Sequence, residues 1–164
     1  MAKERTSGLT AAAGEHFATA ELARRGFLVT LTRGSAPGID VLAYLPRTRR
    51  TAALQVKTAD GKKQSHGKWI MNAKDEDEFA IRSDAFIFVF LPKEFGPAEF
   101  SIVPSKIVAR TIYSDHRKWE STRGAKGQQR SLSNTMRHFK DPEGKWRNRW
   151  DVVMASVEDV GSKP

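Results

Sequence analysis

The chain has 164 residues, the size of one ordinary domain, and its hydrophobic fraction of 39% is enough for a single core. It contains no cysteine, which excludes disulfides and thiolate zinc sites and fits a reducing compartment. The net charge is +9, and residues 105–150 hold twelve Lys or Arg against four Asp or Glu. Such a one-sided basic region favours a polyanionic partner, and nothing else in the composition points to a membrane, so nucleic acid is favoured.

From the sequence we expect neither a membrane span nor a signal peptide. No apolar run approaches the roughly 18 residues that cross a bilayer, and residues 1–7 lack the apolar stretch of a signal peptide. We therefore expect a cytoplasmic protein with no membrane association. Residues 8–155 are expected to form a single domain, with residues 1–7 and 156–164 as flexible termini.

The first part of the chain predicts a helix followed by three strands. Thr10 suits an N-cap and Gly26 suits a helix end, so the helix is predicted over 10–25. Its packed face is expected to hold Ala13, Phe17, Ala20, Ala23 and Arg24. Strands are predicted over 27–33, 39–45 and 51–58, separated by turns at 34–38 and 46–50. Together these strands are expected to form an antiparallel meander.

The second part of the chain predicts further strands and helices. Strands are expected over 68–72, 84–91 and 99–103, and helices over 75–82 and from Pro104 to about Tyr113. Residues 114–150 are basic and less regular, with a short helix expected near 134–139. The order of elements predicts an α/β fold in which helices flank a mixed central β-sheet.

Three short motifs bring together residue types that suit phosphodiester cleavage. Gly14-Glu15 lies on the first helix, Pro37-Gly-Ile-Asp40 leads into the second strand, and Gln55-Val-Lys57 lies on the third strand. Side chains alternate along a strand, so Gln55 and Lys57 share one face while Val56 points to the other. A hairpin of the second and third strands would put Asp40 beside that pair, and the helix would bring in Glu15.

This set offers the ligands that a hard cation requires. Mg²⁺, or Mn²⁺ in its place, prefers oxygen ligands and keeps several waters. Asp40 supplies a carboxylate, Gln55 an amide oxygen and Val56 a backbone carbonyl, while Glu15 can bind through water or hold a second ion. Lys57 can orient or deprotonate the attacking water and offset charge in the transition state.

These motifs resemble those of the PD-(D/E)XK nuclease superfamily. The resemblance covers about residues 8–103 and rests on Gly14-Glu15, Pro37-x-x-Asp40 and Gln55-x-Lys57. It implies a restriction-endonuclease-like fold, a divalent metal and cleavage of nucleic acid, with the small restriction-like and Holliday-junction-resolvase-like enzymes as the related branch. Gln55 departs from the superfamily pattern, which has Glu or Asp there. The missing negative charge should weaken metal affinity.

Other polar residues have both functional and structural interpretations. Candidate nucleic-acid contacts that flank the motifs are Ser35, Arg47, Arg49, Arg50, Lys62, Lys63 and Lys68. The four histidines, at 16, 66, 116 and 138, have no metal-ligand spacing and are expected to be structural or surface groups. The acidic run 75–78 is expected to be a solvated helix start. Trp146 and Trp150 lie among arginines and suit either base stacking or the core.

Three hypotheses follow from the sequence. The first is a metal-dependent endonuclease that cleaves DNA, with duplex, branched or single-stranded DNA and RNA all open as substrates. Symmetric cutting of two strands would need two sites, which favours a homodimer. The second is a nucleic-acid-binding module that keeps the fold without the chemistry. The third is a subunit of a larger restriction or repair assembly.

Overall fold

A computed structural model of the chain describes residues 6–32, 38–124, 130 and 134–158. The helices of this part are α1 (Ser7–Arg24), α2 (Ser105–Ser121) and α3 (Asp151–Val157). The strands are β1 (Leu28–Leu31), β2 (Val41–Leu45), β3 (Arg50–Asp60), β4 (Lys68–Asn72), β5 (Ala85–Leu91), β6 (Glu99–Pro104) and β7 (Met136–Lys140). Among these residues, no helix combines the length and apolarity needed to cross a membrane.

The central sheet has the strand order β1-β2-β3-β5-β6. Strands β1, β2 and β3 form an antiparallel meander, β3 and β5 run parallel, and β6 returns antiparallel to β5. The predicted meander and mixed sheet are therefore confirmed. A separate two-stranded sheet, β4–β7, covers part of one face.

Strand β5 is buried on both faces, which explains its nearly continuous apolar sequence. Ile87 and Val89 face one core, which contains residues from α1 and α3. Phe86 and Phe88 face a second core, which contains residues from α2, β4 and β7. The sheet is thus sandwiched between a layer of helices and a mixed layer.

Helix α1 differs from the prediction at its start and in its buried face. Thr6, rather than Thr10, is the N-cap, because its hydroxyl accepts a hydrogen bond from the Leu9 N–H at 3.3 Å. The buried residues are Thr10, Gly14, Ala18 and Leu22. Phe17 is 45% exposed. Three of these four, Thr10, Gly14 and Ala18, are small, which allows this part of the helix to lie close to the sheet.

Two predicted helices are wrong, and a third is too short. Residues 75–82 do not form a helix; a 3₁₀ turn (Ala73–Glu76) occupies the start of this region. Residues 134–139 contain most of strand β7, because Arg137 and Phe139 alternate inward while β4 supplies a distant partner. Helix α2 extends past Tyr113 to Ser121.

Candidate functional site

The site centres on the point where β2 begins. The Val41 pairing with Leu54 is the last between β2 and β3, and β3 continues to Asp60. Beyond this point the side chain of Asp40 replaces the missing strand, since its Oδ2 accepts a hydrogen bond from the Val56 N–H at 2.8 Å. The Asp40 N–H in turn donates to the Leu54 carbonyl at 2.9 Å. Asp40 therefore lies directly beside the Gln55-Val-Lys57 motif.

The Val56 carbonyl shares this opening. The N–H and C=O of one residue in an extended strand point to the same side. Because the Val56 N–H points to Asp40, its carbonyl points away from β5 and toward the Asp40 side. Among the described residues, no strand pairs with this side of β3 beyond Leu54. The carbonyl is thus suitably oriented for a ligand at the opening.

Gln55 and Lys57 lie on the face of β3 that is covered by the mixed layer. They align with Phe86 and Phe88 of β5, which confirms that the two polar side chains share a face. Gln55 is only 8% exposed. Its Oε1 lies 4.0 Å from where a Cβ on Gly38 would be, so the amide sits under the segment leading into β2.

Lys57 has a partner that the sequence did not indicate. Its Nζ lies 3.6 Å from Oδ2 of Asp75, a residue that is only 4% exposed. The same carboxylate oxygen accepts a hydrogen bond from the Asn72 N–H at 3.0 Å, as part of a capping box on the 3₁₀ turn. Asp75 is therefore not the solvated helix start that we expected. The Asn-x-x-Asp spacing was the available signal, but nothing in it shows proximity to Lys57.

Glu15 reaches the site from helix α1, on the opposite face of the sheet. Burial raises the pKa of the Glu15 carboxyl above 4.5, nearby Asp40 raises it further, and His16 opposes the shift. The two carboxylates thus lie close enough to repel each other. Gly14 allows this approach: a Cβ there would lie 1.9 Å from Oγ1 of Thr58, so any side chain would push α1 away from β3.

The positions of the candidate nucleic-acid contacts vary. Arg47 and Arg49 lie in the β2–β3 turn, and Arg50 begins β3, at the opposite end of β2 from Asp40. Lys62 and Lys63 follow the end of β3, and Lys68 begins β4. Pro37 and Ser35 lie outside the described residues. Trp150 is buried against Phe100 and beneath Arg25, which agrees with the core interpretation.

The donor set around Asp40 fits a hard cation with few protein ligands. Asp40 and the Val56 carbonyl lie at the opening of the sheet, with Glu15 approaching from the helix face and Gln55 lying on the opposite face. In the described ranges, no three His, Asp, Glu or Cys side chains form a metal cluster. Mg²⁺ suits such a sparse set because it keeps several of its own waters. A cation would also relieve the repulsion between Glu15 and Asp40.

Comparison with known proteins supports the fold. No protein-family model matches the sequence, and no curated protein has a matching sequence. The structure is similar to a solved structure described as a bacterial homing endonuclease, I-Ssp6803I. The TM-score is 0.57 at 12% sequence identity, over 94% of this chain and 95% of that chain. The likeness confirms the predicted α/β class, with a five-stranded mixed sheet between helices.

Proposed function

We propose that this chain is a metal-dependent DNA endonuclease of the cytoplasm. The observation that carries the proposal is the hydrogen bond from Val56 to Asp40, which places an acid beside Gln55 and Lys57. The resemblance of the motifs to PD-(D/E)XK nucleases supports the same chemistry. The structural likeness to a protein described as a homing endonuclease supports DNA as the substrate.

Asp40, Gln55, the Val56 carbonyl and Glu15 would hold Mg²⁺ or Mn²⁺. Bound there, the ion would lower the pKa of a coordinated water and polarise the scissile phosphate. Asp40 uses Oδ2 for the Val56 N–H, which fixes the carboxylate plane and leaves Oδ1 for the ion. Gln55 contributes an uncharged oxygen, so the site has one negative charge fewer than the superfamily pattern.

Lys57 is the group that would act on the attacking water and the phosphate. Its ammonium can donate to a water or to a non-bridging phosphate oxygen, and its charge offsets the charge that develops in the transition state. The contact with Asp75 holds the Lys57 side chain in place and leaves the remaining N–H groups of its ammonium to donate. We assign Asp75 as a positioning residue.

The excess positive charge supports a polyanionic substrate. The chain carries a formal charge of +9. Within the proposal, Lys62, Lys63 and Lys68 would contact DNA on the side of the mixed layer. A substrate would have to extend along β2 to reach Arg47, Arg49 and Arg50. Ser35 remains a candidate phosphate contact.

A second candidate is a DNA-binding module without catalysis. Gln55 favours it, because loss of the usual acid weakens metal binding. This protein would retain DNA but would cut no substrate in Mg²⁺ or Mn²⁺. Such a module would keep the fold, because neither hydrophobic core contains Gln55 or Lys57.

A cleavage assay with Lys57→Ala tests the proposal. Linear, nicked, branched and single-stranded DNA and RNA are incubated with Mg²⁺, Mn²⁺ or EDTA. We expect wild-type cleavage that EDTA abolishes, and a loss of at least about 100-fold in Lys57→Ala, the scale at which a proton-transfer group acts. DNA affinity should change by less than about threefold, because one phosphate contact at most is lost.

Lys93→Ala is the matched control, because Lys93 is an exposed lysine of the β5–β6 loop. It should cut at the wild-type rate. Undiminished cleavage by Lys57→Ala would remove the proposed role of Lys57. Binding without cleavage of any substrate by the wild-type chain would favour the non-catalytic module.

A further inference from the structure

The two-stranded sheet β4–β7 has one buried and one exposed face. Trp69 and Phe139 point inward and contact Phe88, with ring centroids 5.0 and 4.5 Å away. The opposite face, here called the ribbon face, consists of Lys68, Ile70, Asn72, Met136, His138 and Lys140. Ile70 is 48% exposed and Met136 51% exposed, so this face lies open to solvent.

The charge on the ribbon face is entirely positive. Lys68 is directly opposite Lys140, and His138 is opposite Ile70 in the next pair along the same face. Like charges that face each other across strands destabilise a sheet. Neither lysine forms an ion pair with any described residue. The pairing thus has an electrostatic cost that an anionic partner would offset.

The environment of His138 reports the same unbalanced charge. Burial lowers the pKa of the His138 imidazole below 6.5, and Lys68 and Lys140 lower it further. No acid contributes to this shift. Ile70 and Met136 are apolar but exposed on the same face. They can contact bases, while the lysines can contact phosphates.

The dimensions of the ribbon match a groove of duplex DNA. Five residues per strand span about 17 Å, and the two strands lie about 5 Å apart. The B-DNA major groove is about 12 Å wide and admits a two-stranded β-ribbon. Lysines at one end can contact phosphates, the Asn72 side-chain N–H can donate to an acceptor on a base edge, and apolar side chains can contact a thymine methyl.

We propose that the ribbon face enters the major groove of duplex DNA and positions it over the cleavage site. This inference rests on the proposed function. Asn72 caps the 3₁₀ turn that carries Asp75, and Asp75 contacts Lys57. DNA held by the ribbon would therefore be tied, through three consecutive contacts, to the residue proposed to act on the scissile phosphate.

Binding of a short fluorescent duplex in EDTA tests the surface without cleavage. The variant is Lys68→Gln with Lys140→Gln, which removes two charges from an exposed face and leaves the inward side chains untouched. We expect about tenfold weaker binding. The slope of log affinity against log salt should shrink by about 1.8, because each lost phosphate contact removes roughly 0.9.

The control variant is Lys93→Gln with Lys106→Gln. It removes the same charge from the β5–β6 loop and the first turn of α2, where both lysines are exposed. We expect affinity within about threefold of wild type and a nearly unchanged slope. Equal losses in the two variants would show a general charge effect and overturn the proposal.

A second duplex identifies the groove. Its cytosines carry glucosylated hydroxymethyl groups, which fill the major groove and leave the minor groove open. Wild-type binding should weaken at least tenfold on this duplex, and the ribbon variant should lose much less. Equal wild-type affinity for both duplexes, or tighter binding of single strands, would overturn major-groove entry.

The outcomes separate the two proposals. Ribbon-dependent binding without cleavage would contradict the endonuclease and leave the ribbon surface intact. If the wild type cleaves DNA in a metal-dependent reaction but the ribbon variant binds both duplexes as the wild type does, only the ribbon proposal would be contradicted. Absence of any nucleic-acid binding would overturn both.

Discussion

In the proposed enzyme, the carboxylate of Asp40 would have two functions just before the start of β2. One oxygen accepts a hydrogen bond from the Val56 N–H, which has no strand partner on this side because β2 begins only at Val41. The other can accept a metal ion. Because a backbone hydrogen bond fixes this carboxylate, a ligand at the opening would meet a preformed group rather than a mobile side chain. The acid would thus be structural and chemical at once.

Glu15 is expected to make stability and metal affinity depend on pH. Its pKa is raised above 4.5, so the folded state holds this proton more tightly than the unfolded state does. The stability it contributes is full below pH 4.5 and is lost as the pH rises through the folded pKa. Metal-free Glu15→Gln should therefore melt above wild type at pH 7, by no more than about 3 °C, and match it near pH 4.

Thermal melts from pH 4 to pH 8, with and without Mg²⁺, measure this effect. Mg²⁺ should stabilise wild type more than Glu15→Gln at pH 7, and its affinity should rise more steeply with pH in wild type than in Glu15→Gln. Glu21→Gln on the same helix is the control of opposite sign. Arg25 and Arg24 lower the pKa of Glu21, so its loss should destabilise the protein above pH 4.5. A lower melting temperature for metal-free Glu15→Gln at pH 7 would contradict a destabilising effect of burial and of Asp40 on the Glu15 carboxylate.

At the scale of elements, the contact between α1 and β3 sets the position of Glu15. The helix lies so close to the strand that Gly14 is in contact with the Thr58 side chain. Thr58 is partly buried, and its hydroxyl oxygen has no hydrogen-bond partner in the described part of the chain. The close approach is therefore maintained by packing rather than by a hydrogen bond.

We expect Gly14→Ala to destabilise the fold by about 1–3 kcal/mol, the cost of overpacking a closed contact. Denaturant unfolding measures the change, and a cleavage assay should show reduced activity because Glu15 moves away. Gly8→Ala is the matched control on the same helix. Nothing lies within 4 Å of a Cβ there, so it should be neutral or stabilise by up to about 1 kcal/mol.

The double variant Gly14→Ala with Thr58→Ala provides the second test. Removing the Thr58 hydroxyl and methyl makes room for the new Cβ, so stability should recover toward wild type. If Gly14→Ala and Gly8→Ala unfold alike, the close approach of α1 to β3 is wrong.

At the scale of the whole molecule, both ends of the described chain cover the same face of the sheet. Residues of α1 and α3 share the first core, and Trp150 packs against Phe100 beneath the guanidinium of Arg25. Arg47 of the β2–β3 turn also forms an ion pair with Glu158, just after α3. Helix α3 closes the layer that holds α1 and therefore Glu15.

We expect Trp150→Ala to cost about 3–5 kcal/mol, as for other buried aromatic residues. Denaturant unfolding checks this value. Trp150→Phe should cost much less, because the indole N–H has no partner among the described residues and the ring contact with Phe100 can persist. Equal stability of Trp150→Ala and wild type would show that α3 is not part of the first core.

The sequence by itself determined the elements whose signals are local. Alternation and apolar runs gave the meander, β5 and β6, and the spacing of Gln55 and Lys57 gave their shared face. The motif Gly14-Glu15 lies on a helix, as predicted. The predicted buried face included Phe17, however, and left out the small residues that the structure buries. These features follow from chain geometry over a few residues, which a sequence records directly.

Only the tertiary structure decided the features that join distant segments. Residues 136–140 are a strand because β4, nearly seventy positions earlier, supplies the hydrogen bonds and the buried face. The Asp75 carboxylate can be buried because Lys57, on β3, and the Asn72 N–H both contact it. Burial and pairing across such separations depend on which surfaces meet in space, and no local pattern encodes that.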